Sequence, residues 1–273
     1  MTVTFRILGC GSSGGVPRIH GDWGDCDANN PKNRRTRCSM LVTKTGDDGA
    51  TNLLIDTSPD MRGQLIDAGT DWLDGVLYTH DHADQTHGID DLRAMVYARR
   101  KRIKVWMDDA TAKTLTKRFG YCFSEIRGSD YPSILQDNRI ELPYSDITVD
   151  GAGGALRAAP FRQIHGRIDS LGFRIGNVAY SSDISDLPEE SEDAIRTLDV
   201  WVVDALRRTP HPTHFHLEKT LQMIEKIKPR RAILTNLHID MDYATLVNEL
   251  PENVYPAFDG MEFVESQTIQ KQN

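Results

Sequence analysis

Short apolar runs recur along the chain at the length and composition of β-strands: VTFRIL, SMLVTK, NLLID, DGVLYT, IKVWM, LGFRIG, VAYSSD, DVWVVDAL and RRAILTN. Between several of them, apolar residues return every three or four positions, the period of an amphipathic helix. The segments are MRGQLIDAG, DDLRAMVYARR, DATAKTLTKRFG, SEDAIRTL and HLEKTLQMIEKIK. The glycine-rich DGAGGA at 150–155 has the composition of a hairpin turn. Strands crowd the first third and helix alternates with strand in the last, so the pattern predicts a mixed α/β fold around a sheet-centred core. No repeat, low-complexity tract or long linker divides the 273 residues, and one domain over 1–273 is expected.

Polar residues sit just beyond several apolar runs: Asp56 after NLLI, His80 after DGVLYT, Asp183 after VAYSS and His238 after AILTNL. Side chains at the ends of strands that share a sheet can converge, whatever their separation in sequence. The densest group is THDHADQTHG, with His80, His82 and Asp84 at alternate positions. Imidazole with carboxylate suits zinc, manganese or iron better than calcium. A lone histidine would read as a surface or core residue. His80, His82 and Asp84 together, followed by His165 in FRQIHG, Asp183 and His238, read as a metal-ligand set.

These motifs resemble the metallo-β-lactamase superfamily of metal-dependent hydrolases, whose signature is H-x-H-x-D-H followed two residues later by Gly. His80, His82, Asp84 and Gly88 stand in register, with Gln85 in place of the last histidine. The resemblance implies a four-layer αββα sandwich. It further implies that His80, His82 and His165 hold one metal, that Asp84 and His238 hold a second, and that Asp183 bridges the two. Asp56 matches the acidic residue of an early family motif and is expected behind the ligands, orienting them. An amide oxygen is a weaker donor than imidazole, so Gln85 is expected to be a weak ligand, leaving one or two divalent ions, Zn or Mn. His87, just before Gly88, is expected to be a bystander.

GCGSSGGVP at the start, LIDTSPDMR, GIDDLR and the late PTH before a helix resemble the branch containing the phosphoribosyl 1,2-cyclic phosphate phosphodiesterase of phosphonate breakdown. That branch implies hydrolysis of a small cyclic phosphate or nucleotide-like phosphodiester. His214 falls at the position of a family active-site histidine and is preferred over the neighbouring His211 and His216 as the acid for the leaving group. Asp84 or Asp183 would orient the attacking water. Other hydrolases of the same fold, a tRNA 3′-end nuclease or a glyoxalase II-like thioesterase, stay open alternatives. So does a non-catalytic cofactor-binding relative with an eroded second metal position.

The formal net charge of −8 argues against a long nucleic acid as partner. Two basic runs stand out locally, Lys32 to Arg37 and Arg99 to Lys104, readable as solvated faces or as a phosphate-attracting rim. No apolar run reaches the ~18 residues of a membrane span. A cytoplasmic location is expected, and assembly as a homodimer is left open. Four scattered cysteines without a C-x-x-C pair suggest neither a disulfide framework nor a cysteine zinc site.

Overall fold

The computed structural model describes residues 2–125, 128 and 130–265. In chain order the first half contributes β1 (Thr2–Gly9), β2 (Ser39–Gly46), β3 (Gly49–Ile55), α1 (Met61–Asp67), β4 (Gly75–Leu77), α2 (Ala83–Thr86), α3 (Leu92–Arg99), β5 (Ile103–Met107), α4 (Asp109–Arg118), α5 (Gly120–Phe123) and β6 (Leu135–Arg139). The second half adds β7 (Ile147–Val149), β8 (Leu156–His165), β9 (Ile168–Ile175), β10 (Val178–Ser181), α6 (Glu189–Glu192), β11 (Val200–Asp204), α7 (Leu217–Ile227), β12 (Arg231–Thr235), α8 (Tyr243–Glu249), β13 (Val254–Pro256) and β14 (Met261–Val264).

The strands form two seven-stranded sheets, ordered β14-β1-β2-β3-β4-β5-β6 and β13-β12-β11-β10-β9-β8-β7. Alternation along each strand decides what lies between the layers. From the first sheet Phe5, Ile7, Met40, Val42, Leu53 and Ile55 point inward. They meet Leu171, Phe173, Val178, Val200, Val202 and Ile233 of the second sheet in one buried cluster. The intervening residues Leu8, Leu41, Leu54, Val76 and Val105 face outward and are covered by Met61 and Leu65 of α1, Leu92 and Val96 of α3 and Leu115 of α4. On the other side Trp201, Val203, Ala232 and Leu234 are covered by Leu217 and Met223 of α7 and Leu246 of α8. Helix, sheet, sheet and helix therefore stack as the αββα sandwich that the sequence motifs imply.

Strands β3 to β6 run parallel, as do β10 to β13. β8 is antiparallel to β9, which is antiparallel to β10, so β8 and β10 run the same way and end at one edge. DGAGGA joins β7 to β8, an antiparallel pair, as expected of a hairpin turn. The SEDAIRTL segment departs from its helical pattern. Only Glu189–Glu192 is α-helical, Asp193–Ile195 is a 3₁₀ turn, and Thr197 has φ 57°. Ile195 and Leu198 must both be buried before β11 starts at Val200, and an uninterrupted helix would carry the chain past that strand.

The glycine-rich segment after β1 is anchored by Asp259. Its carboxylate accepts from the backbone N–H of Cys10 (3.0 Å) and of Thr36 (2.7 Å), and from the Thr36 hydroxyl (2.6 Å). Burial pushes this carboxyl up to about 6, against those donors. Asp259→Ala strands two backbone donors, so we expect urea unfolding to show a loss of about 3 kcal/mol. Asp259→Asn, which keeps acceptor capacity, should lose less; equal losses would mean that the hydrogen bonds contribute little.

Candidate metal centre and catalytic site

His80 follows β4 on the loop that enters α2. Asp56, at the end of β3 with φ 63°, accepts from both the backbone N–H and the hydroxyl of Thr79, each at 2.8 Å. With its proton committed to Asp56, the Thr79 oxygen accepts from Nδ1–H of His80 at 2.9 Å. The remaining nitrogen, Nε2, then carries a lone pair, and it is buried with no hydrogen-bond partner among the described residues. Burial, helped by His165 and His82, pulls His80 down to about 3 despite Asp183, which keeps the imidazole neutral. Asp56 thus acts on His80 through Thr79.

His165 ends β8 and donates Nδ1–H to the carbonyl of Thr213 at 2.6 Å, which turns its Nε2 toward Nδ1 of His82, 3.3 Å away. Burial lowers its pKa as well. Ligand atoms of His80, His82 and His165 all lie within 4.8 Å of one another. Two nitrogens bound to one tetrahedral zinc at ~2.0–2.1 Å would stand about 3.4 Å apart. The three imidazoles therefore fit a divalent ion, and the unpartnered Nε2 of His80 has a donor role to fill.

Asp84 and Gln85 lie on α2, a single turn held close to β3 by Gly88. A Cβ on Gly88 would stand 2.1 Å from the carbonyl oxygen of Ser58, so only glycine permits the approach. Asp183 follows β10 and is buried, and its carboxylate lies with His165 and His214 in a second group of ligand atoms within 4.8 Å. The two carboxylates are tuned apart. Burial and the charge of Asp183 raise Asp84 to about 6. Burial also works against the charge on Asp183, but in the acid range where this group titrates, positive charge on His80, His214 and His165 outweighs it and holds the group below the ordinary carboxylate range. Gln85 is buried, with its amide nitrogen 3.0 Å from Asp183 Oδ2 and 3.3 Å from Asp84 Oδ2.

His214 Nδ1 lies 2.7 Å from Oδ2 of Asp204, the last residue of β11. Burial opposes protonation of His214, but Asp204, Asp183 and Asp84 outweigh it and raise the imidazole to about 9. Burial in turn raises Asp204 to about 7, against the pull of His214. The structure puts His214 beside the ligand cluster, whereas His216 occupies the N-cap position of α7 without a capping hydrogen bond from its side chain. His211 packs 5.1 Å from the His214 ring, and His87 packs edge-on against Phe119, away from the cluster. His238 stands apart from the two close groups of ligand atoms, with Nδ1 3.2 Å from Asp240 and Nε2 against the guanidinium of Arg18.

One cavity of about 580 Å³ collects these groups. Its lining includes His82, Asp84, His165, Asp183, His214 and His238, joined by Ser12, Ser13 and Gly14 of the glycine-rich segment and by Arg18 and Arg207. Neither basic run of the sequence lines it. Arg35 is buried, donating to the carbonyl of Met241 at 2.7 Å, and Arg37 pairs with Asp60 at 2.9 Å. Asp204, Arg18, Arg207 and Asn236 are site residues that the sequence motifs do not mark. Asp204 and Asn236 carry the same signal as the residues those motifs mark, a polar side chain at the end of an apolar run, whereas Arg18 has none. Asn236 donates to the carbonyl of Ser182 at 2.9 Å, tying the end of β12 to that of β10. All four cysteines are buried and free.

Residues 51–239 match the beta-lactamase superfamily domain. The crystal structure of a diphosphatase from the PhnP family is similar at 32% identity, with a TM-score of 0.85, over 96% of this chain and 97% of that one. An octanoyltransferase of Porphyromonas gingivalis is 31% identical over 94% of the chain; the chain spans about half (51%) of that relative's length. Zn(2+)-bound PqqB from Methylobacterium extorquens shares the fold at 17% identity, with a TM-score of 0.71 over 95% of this chain and 99% of that one.

Proposed function

The chain belongs to the beta-lactamase superfamily, and from that premise we propose that it is a metal-dependent hydrolase of a small cyclic phosphate or nucleotide-like phosphodiester. One observation carries the reading: two of three mutually close imidazoles, His82 and His165, open onto one cavity together with a histidine paired to a buried aspartate and two arginines. The similarity to a PhnP-family diphosphatase supports attack at phosphorus.

His80, His82 and His165 would hold the ion, and an imidazole-rich set favours zinc. Bound there, a divalent ion supplies water acidic enough to attack at neutral pH and offsets charge on phosphoryl oxygens. Asp84, raised toward neutrality, accepts the proton of the attacking water. Arg18 and Arg207, at the cavity wall, attract the phosphate anion and bind its oxygens. His214, held by Asp204 through Nδ1, gives its Nε2 proton to the departing sugar oxygen as the phosphorus–oxygen bond breaks.

The test is turnover of bis(p-nitrophenyl) phosphate, p-nitrophenyl phosphate and a glutathione thioester by protein purified without chelator and supplied with zinc or manganese. The diester should be the best of the three. Thioester as the preferred substrate would move the assignment to a thioesterase, and no turnover of any would overturn the enzyme reading.

A further inference from the structure

Beside the three-imidazole position, the space bounded by Asp84, Gln85, Asp183 and His238 carries donors from the protein itself. Gln85 Nε2–H donors reach Asp183 Oδ2 (3.0 Å) and Asp84 Oδ2 (3.3 Å), crosslinking the two carboxylates. His238 presents Nδ1 to Asp240 Oδ1, an acceptor, so that nitrogen carries the proton and Nε2 a lone pair. The group facing that lone pair is the guanidinium of Arg18. Guanidinium only donates and stays charged, so a fixed cation stands where a ligand nitrogen would meet a metal.

We propose that this chain holds a single divalent ion, on His80, His82 and His165, and that Arg18 with the Gln85 amide takes the place of a second ion. The proposal rests on the metal reading of the preceding section. Asp84 and Asp183 together neutralise one divalent ion. Counted over these two carboxylates alone, a second ion would leave two uncompensated positive charges beside the buried Asp183, where unpaired charge is costly. On the same count Arg18 leaves one fewer, and its guanidinium fork matches phosphate oxygens. Rotating the Gln85 amide would turn its oxygen to the same space, yet Arg18 would still oppose a cation at His238. The backbone of Arg18 is pinned by its own N–H to the Asp22 carbonyl (2.9 Å) and by Gly21 N–H to its carbonyl (2.7 Å), which keeps the side chain's origin beside the cavity.

The experiment is metal binding rather than activity. Metal-free protein is titrated with Zn²⁺ by calorimetry and the bound metal counted by mass spectrometry after desalting. The wild type should retain about one ion per chain. Arg18→Met combined with Gln85→His should tighten a second ion by about 10- to 100-fold, the scale on which groups around a metal act. Arg18→Lys, which keeps a cation, should behave as the wild type does. Two tightly held ions in the wild type would overturn this inference alone. No ion in any variant would overturn the metal reading too. If the double variant fails to fold, Arg18→Met alone must still strengthen the second binding event for the proposal to stand.

Discussion

His82→Ala is expected to abolish metal retention and, through the several kcal/mol that a Lewis-acidic ion contributes, to lower kcat/KM by on the order of 10³-fold or more. The prediction is sharp because His82 is the exposed member of the trio, while His80 and His165 are buried. Removing a buried histidine confounds lost metal with a damaged core. An exposed substitution should change the stability of the metal-free protein by no more than about 0.5 kcal/mol. The stabilisation that zinc gives the wild type, which grows with the ratio of free metal to its dissociation constant, should vanish in the variant. Paired melting curves with and without zinc check both halves. A variant that still gains stability from zinc would remove His82 from the ligand set.

How far such a site can be read from sequence depends on which residues announce themselves. His80, His82 and Asp84 do so by spacing alone, because alternate positions at the end of an apolar run serve no packing purpose. His165 does so less well. Its strand β8 carries Pro160 and mixes charged with apolar residues, so LRAAPFRQIH lacks a continuous strand pattern, although β9 pairs with it from Ala159 to His165. The αββα layering follows from alternation once two sheets are assumed. Yet nothing local to VTFRIL says that Phe5 meets a second sheet and Leu8 a helix. Arg18 was illegible for a different reason. An arginine in a loop signals no period, and its meaning arises only when the chain from β12 brings His238 against it, 220 residues away. The first basic run shows the opposite case: the Arg35 guanidinium is buried and donates to the Met241 carbonyl in the segment that carries His238, while its backbone pairs with Val16 in the loop that carries Arg18.

The pairing of Asp204 with His214 leads to the other large effect. His214→Ala should lower kcat by about 10²- to 10⁴-fold, the range of a general acid, and the loss should depend on the leaving group. p-Nitrophenolate leaves without a proton, so bis(p-nitrophenyl) phosphate should be hurt least, and a cyclic phosphate with a sugar alkoxide leaving group most. Equal losses on both would make His214 a phosphate-binding or positioning residue. The pH profile gives the same role a sign. An acid raised to about 9 is protonated at neutral pH, so its contribution is lost as pH rises through that value. The base contribution of Asp84, raised to about 6, is lost as pH falls through its own. A bound divalent ion favours deprotonation of both groups, so in the loaded enzyme both limbs should lie at or below these values. Asp204→Asn removes the nearest carboxylate that holds the proton on His214, and should move the alkaline limb downward while the acid limb stays. In the metal-free protein the sign of the stability effect is fixed by the same shift. His214, raised above its ordinary value of about 6.5, stabilises the fold fully below that pH, and the contribution disappears as pH rises through about 9. An alkaline limb that does not move in Asp204→Asn would assign it to some group other than His214.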